Sequence, residues 1–229
     1  HPSEPLARVR RVQLRGCVDK VITIAQQKGG SGKTTIAANL ATVFSLKNNF
    51  STTLLDTDPQ GSLGKWFMTR KEKLKDKNTL QFKTASLWGA QYEAKTLKEK
   101  CDIVIIDTPP KIDADGRPAI EIADLVLIPI SPSQVDFWAT ESIIELAKRE
   151  KKEILILINR ANAKSKLIKE AVKFVKDMEV KKAKTIIGNR QIFVSSMGLG
   201  LTVVEKQRTG KGCLEMLSLA KEIKSLLQI

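Results

Sequence analysis

Val21-Ile22-Thr23-Ile24-Ala25-Gln26-Gln27-Lys28-Gly29-Gly30-Ser31-Gly32-Lys33-Thr34-Thr35 is the stretch on which the fold turns. A short apolar run leads into a glycine-rich loop, and residues 36–46 then carry a helical pattern. A strand that empties into such a loop and feeds a helix is the setting a phosphate-binding loop requires. Glycines let the backbone curl so that successive N–H groups point inward at phosphate oxygens. The helix adds the positive end of its dipole. In that setting Gly29, Gly30, Ser31 and Gly32 form the cradle. Lys33 reaches the β- and γ-phosphates, the Thr34 hydroxyl ligates Mg²⁺, and Thr35 reaches the α-phosphate.

Outward from this loop the same grammar repeats. Thr53-Leu54-Leu55 leads into Asp56, the run 103–106 into Asp107, the run 125–128 into Pro129, and the run 154–158 into Asn159. Each run is continuously apolar rather than alternating, as expected of strands buried on both faces. Helical patterns lie between or after them at 135–150, 164–178 and 213–228. Such alternation predicts an α/β fold: a mostly parallel, twisted sheet with right-handed crossovers and helices on both faces. Ligands of such sheets sit at the carboxyl edge of the strands, where every polar motif of this chain falls. We expect one domain over 20–229. Residues 1–19, with Arg8, Arg10, Arg11 and Arg15, are set apart as a basic arm, targeting segment or remnant.

Two carboxylate motifs follow strands. Asp56-Thr57-Asp58-Pro59-Gln60-Gly61 ends one, and Asp107-Thr108-Pro109-Pro110 ends another. Phosphoryl transfer is mostly positioning plus charge neutralisation, so a carboxylate that holds water or metal beside the phosphates is what the chemistry needs. A strand-terminal aspartate such as Asp107 holds Mg²⁺, through water.

Composition narrows the partners. The chain has 229 residues, 42% hydrophobic and 28% charged, an ordinary globular balance. Its formal net charge is +14, an excess that attracts polyanions. Residues 160–190 hold ten basic residues against Glu170, Asp177 and Glu179. At helical spacing Lys166, Lys169, Lys173 and Lys176 share one face, and Ile168, Ala171, Val172, Val175 and Met178 the opposite, core face. Cys17, Cys101 and Cys213 are odd in number and form no C-x-x-C pair, which argues against zinc or an iron–sulfur cluster and for a reducing cytoplasm. His1 is the single histidine, which leaves no base for a Ser/His/Asp triad. No apolar run approaches the roughly 20 residues of a membrane span. With few aromatic residues and no aromatic-interleaved basic patch, base stacking is not expected.

One departure in the loop is informative. The ordinary pattern G-x-x-x-x-G-K-[ST] wants glycine at position 27, where this chain has Gln27, followed by Lys28. With its two following glycines, Lys28 resembles the signature lysine of the deviant Walker A motif. That motif marks the group of P-loop ATPases containing ParA, MinD and the nitrogenase iron protein. The resemblance spans about 20–228. It implies a P-loop NTPase that hydrolyses ATP with Mg²⁺. It also implies that Lys28 crosses a homodimer interface to the partner's nucleotide, and that Lys28, Lys33 and Asp58 are catalytic, Asp58 orienting the attacking water. Thr34, Asp56 and Asp107 would serve the metal, and Asn159 the amino edge of adenine. The segment 128–136 resembles a second loop facing the nucleotide. Arg190, Lys206, Arg208 and Lys211 match the region that binds DNA without sequence preference in small plasmid-type ParA proteins. The reading is a cytoplasmic, nucleoid-associated partition ATPase with a ParB-like stimulator.

Other branches of the group fit less well. The iron protein needs paired cysteines, the bacterial tyrosine kinases a tyrosine-rich tail, and the larger plasmid ParA proteins an N-terminal helix-turn-helix. A MinD-like membrane-positioning ATPase, or a relative that positions a protein cargo, remains the alternative. Against the first, the helical pattern ending at Ile229 reads as core-facing and has no basic tip.

Overall fold

A computed structural model describes residues 18–110, 116–132, 134–162 and 165–229, side chains of 134–136 excepted. The arm at 1–17, Lys164 and part of the loop 128–136 lie outside the described residues. Among the described residues seven strands form one sheet: β1 (Lys20–Ile24), β2 (Thr52–Asp56), β3 (Gln81–Thr84), β4 (Ile103–Asp107), β5 (Leu125–Ile130), β6 (Glu153–Ile158) and β7 (Lys181–Lys182). Their order is β3-β2-β4-β1-β5-β6-β7, and every pairing is parallel. The five expected strands are the inner ones. The edges, β3 and β7, escape a search for continuous apolar runs because an edge strand need not bury both faces, and Gln81-Phe82-Lys83-Thr84 does not. β5 also runs two residues past the expected end, through Pro129 to Ile130.

The helices are α1 (Lys33–Asn48), α2 (Ser62–Leu74), α3 (Ala90–Lys98), α4 (Arg117–Glu121) and α5 (Gln134–Arg149). After them come α6 (Leu167–Asp177), α7 (Gln191–Met197), α8 (Val203–Lys206) and α9 (Lys211–Leu227). They cover both faces. Ile103 and Ile105 of β4 join α1, α2 and α9 in one core, while Val104 and Ile106 point to the other side against α3. In β5, Leu125 and Leu127 take the first side and Val126 and Ile128 the second, with α5 and α6. Period-two alternation with both faces covered is why these strands read as unbroken apolar runs. α1 is buried from Ile36 to Phe44, since it lies on the sheet and packs against α9 as well. On α6, Ala171 and Val175 are buried, but Val172 is 40% exposed, which corrects its expected place in the core. Phe174 fills that side instead, stacked 4.9 Å from Phe137.

Register sets the site. Ile24 pairs with Asp107 and Asp107 with Asp56, so both aspartates end adjacent strands in one row with the end of β1. The glycine-rich loop springs from that row.

Candidate nucleotide site

The loop is built around a buried glutamine. Gln26 donates its amide to Pro129 O (3.2 Å) and Thr140 Oγ1 (2.8 Å). Its Oε1 accepts the N–H groups of Gln27 (2.8 Å) and Lys28 (3.4 Å). Gly30 and Gly32, at φ 76° and 92°, then turn the chain through left-handed conformations closed to ordinary side chains. Outside the turn, Asn159 donates Nδ2 to Ser31 O at 2.8 Å. A Cβ on Gly32 would stand 2.5 Å from that nitrogen, so only glycine lets the brace approach.

Lys33 folds back into the loop, 7% exposed, and donates Nζ to Gln26 O at 2.9 Å. Burial lowers its pKa, opposed by attraction to Asp107 and Asp58. Thr34 donates its hydroxyl to Asp107 Oδ2 at 2.7 Å. Asp107 Oδ1 is buried with no partner among the described residues, as is Ser31 Oγ. Burial pushes the Asp107 carboxyl up to about 7, with Asp56 adding repulsion and Thr34 and Lys33 opposing. An orphaned carboxylate oxygen beside a paired hydroxyl is the donor set a hard cation wants, with phosphate oxygens and water filling the rest. Among the described residues no cluster of three or more His, Cys, Asp or Glu could hold a metal unaided. The residues therefore fit a magnesium ion that arrives with a phosphate ligand, held by Thr34 and Asp107.

Asp56 has a different setting. Its Oδ1 accepts the N–H of Asp58 (3.0 Å), and its Oδ2 the N–H of Gly64 in the first turn of α2 (3.1 Å). It thus caps α2 from a neighbouring strand. Burial raises its pKa, these two bonds opposing. Asp58 accepts the Gln60 N–H at 2.9 Å and borders the space in front of the loop. Lys28 is half-buried at the loop's outer turn.

Two cavities meet at the loop. One of about 570 Å³ is walled by residues 29–35, by Asp58 and Gln60, and by Trp66 of α2 and Met197 of α7. The other, about 230 Å³, lies beyond Thr35, between Asn159 and Phe193. Asn159, expected at the adenine edge, lines this second cavity while its amide braces the loop. Arg190 lines it too, its guanidinium paired with Glu215 through Nε (3.1 Å) and Nη2. That partner raises its pKa. Of the other expected DNA contacts, Lys206 donates Nζ to Ser195 O at 3.3 Å, and Arg208 and Lys211 are exposed.

Motif reading overlooked Gln26 and Arg160 as parts of the site, and the walls contributed by α2 and α7. A polar residue closing an apolar run was a usable sign for Gln26. The walls had none, being remote in sequence. No helix among the described residues is long and apolar enough to cross a membrane.

Known proteins place this architecture. "Maintenance of carboxysome distribution protein A" of Halothiobacillus neapolitanus is 24% identical over 90% of this chain and 94% of its own. The "Chromosome partitioning protein ParA" of Myxococcus xanthus is 26% identical over 90% and 88%. The septum site-determining protein MinD of Pyrococcus horikoshii, solved with Mg-ADP, superposes with a TM-score of 0.73. It is 21% identical and covers 90% of this chain and 96% of that one, a likeness of fold. The family model for the CobQ/CobB/MinD/ParA nucleotide binding domain matches residues 22–219. The chain belongs to that family and, within it, is a P-loop ATPase of the ParA/MinD kind.

Proposed function

We propose that this protein hydrolyses ATP to ADP and phosphate and uses the nucleotide as a switch for dimerisation and DNA binding. The observation that carries this reading is the buried Thr34–Asp107 pair with its orphaned Oδ1, set directly behind the cavity that Lys33 and Thr34 line. Gly29 to Gly32 hold the triphosphate through main-chain N–H groups, and Lys33 leaves Gln26 O for the β- and γ-phosphate oxygens. Thr34 and Asp107 would hold magnesium, whose chemistry there would be to neutralise charge on the phosphoryl oxygens. Asp58, at the mouth of the cavity, holds the attacking water, and Asp56 keeps that loop and α2 in place. Lys28 reaches the nucleotide of a second copy, so that two chains close over two ATP molecules. The closed pair joins two basic surfaces, including Arg190, Lys206, Arg208 and Lys211, and a weak electrostatic contact with phosphate backbones becomes a strong one. In this reading the ATP-bound pair works on the nucleoid in the cytoplasm, and a ParB-like protein stimulates hydrolysis and release from DNA. The Halothiobacillus relative supports a second reading, in which the same cycle distributes a protein cargo along DNA.

The test is a gel shift on unrelated DNA fragments with ATP, ADP or no nucleotide. We expect binding only with ATP, independent of sequence and falling steeply with salt. Equal binding in all three states overturns the switch. A parallel sedimentation with anionic vesicles and ATP separates a MinD-like activity: pelleting there without a DNA shift replaces the DNA reading.

A further inference from the structure

Gly32, Thr35 and Arg160 line both cavities, and Arg160 is the charged residue at their junction. It follows Asn159 at the end of β6 and is exposed. The turn that carries it is pinned on both sides. Asn159 N–H donates to Ile130 O at 2.8 Å, Ala161 N–H to Ile187 O at 3.0 Å, and Asn189 N–H to Ala161 O at 2.9 Å. Arg160 itself has φ 53°, a left-handed conformation that an arginine adopts only at a steric cost. The result lays the guanidinium along the outside of the loop. A Cβ on Gly30 would lie 3.9 Å from its Nη1, and one on Gly32 would lie 3.7 Å from its Nε. Of the two arginines lining the smaller cavity, Arg190 is neutralised by Glu215. Arg160 makes no side-chain hydrogen bond or ion pair among the described residues.

We propose that Arg160 is a nucleotide-positioning residue: its guanidinium binds the phosphate next to the ribose, on the side of the loop opposite Lys33. This rests on the nucleotide reading above and adds a contact to it. A nucleotide laid across the two cavities has its terminal phosphates at Lys33 and Thr34 and its base beyond Thr35. The phosphate at the junction is then the one nearest the ribose. A planar, permanently charged fork on a pinned turn suits two oxygens of one phosphate. That phosphate is common to ATP and ADP, so Arg160 holds the nucleotide without reading its state. Discrimination stays with Lys33, Thr34 and Asp107.

The experiment measures affinity of the full chain for fluorescent ATP and ADP analogues, with Arg160→Asn and Arg160→Lys beside the wild type. Asparagine tolerates the left-handed backbone, so the turn survives the loss of charge. We expect Arg160→Asn to weaken ATP and ADP alike, by about tenfold, the scale of a charge-assisted hydrogen bond. Arg160→Lys should restore part of the loss, through its charge without the fork, and the melting temperature without nucleotide should stay at the wild-type value. Unchanged affinity in Arg160→Asn overturns the proposal. So does a loss confined to ATP, which would put the guanidinium at the γ-phosphate. A lowered melting temperature with no rescue by lysine would make the residue structural. Should the wild type bind neither nucleotide, the nucleotide reading itself falls.

Discussion

Asp107 is held in a state that suits a ligand better than it suits folding. Its carboxyl is raised from 3.8 to about 7, chiefly by burial. The folded chain therefore binds this proton more tightly than the unfolded chain does. The stability it contributes is present at low pH and is lost as pH rises between those values. Asp107→Asn keeps an oxygen for Thr34 and removes the charge. We predict that the variant without nucleotide melts higher than the wild type at pH 8. The gap should close as pH falls toward 4, near the ordinary value of an aspartate. Parallel melting curves across that window would show that Asp107 is not strained. The same variant should lose the Mg²⁺ dependence of nucleotide affinity, since the oxygen that stabilises nothing in the free protein is the one offered to the cation.

Helix α2 ties the loop after β2 to the carboxyl-terminal part of the chain. Asp56 caps its start, and Arg70, 1% exposed, anchors its far end. Arg70 pairs with both oxygens of Glu205 at 2.8 Å, donates Nε to Asn78 Oδ1 at 3.0 Å, and lies 5.4 Å from the Trp66 ring centre. Glu205 is committed in turn, as it closes the capping box of α8 with Thr202. Removing one partner of such a pair strands the other charge, at about 3–5 kcal/mol, whereas replacing both with apolar groups is often nearly neutral. Arg70→Met should therefore lower the denaturation midpoint by that amount in free energy, and Arg70→Met with Glu205→Met should recover more than half. Denaturant titration with an unchanged slope checks this. A double variant as weak as the single one would place the loss in packing instead. Gly200 makes the contact close, for at φ 67° its Cβ would stand 2.5 Å from Arg70 N.

At the scale of the whole molecule the proposed switch needs two copies. A net charge of +14 opposes bringing them together, so the nucleotide's negative charge and Lys28 must supply the bias. Lys28→Ala is predicted to bind ATP within a few-fold of the wild type yet to remain monomeric. Light scattering with a non-hydrolysable ATP analogue reads the outcome, and a normal ATP dimer would show that Lys28 does not act across the interface. The charge excess also predicts that high salt favours the dimer while weakening DNA binding, because screening removes repulsion and attraction together.

Five strands, the glycine-rich loop and both strand-terminal aspartates were legible from residues alone. Doubly buried strands must be apolar throughout, and a phosphate cradle must have glycine where φ is positive. Family membership followed from local signs too, Lys28 before two glycines above all. What remained hidden depends on chain segments far apart in sequence. The caps and struts are of this kind: Asp56 on the first turn of α2, Asn159 on Ser31, Glu215 on Arg190, Glu205 on Arg70. So is the junction of the two cavities where Arg160 lies. A hydrogen bond between residues 128 positions apart, as from Asn159 to Ser31, leaves no period and no motif in either neighbourhood. Its existence is set by how β6 and the loop are brought to one edge of the sheet.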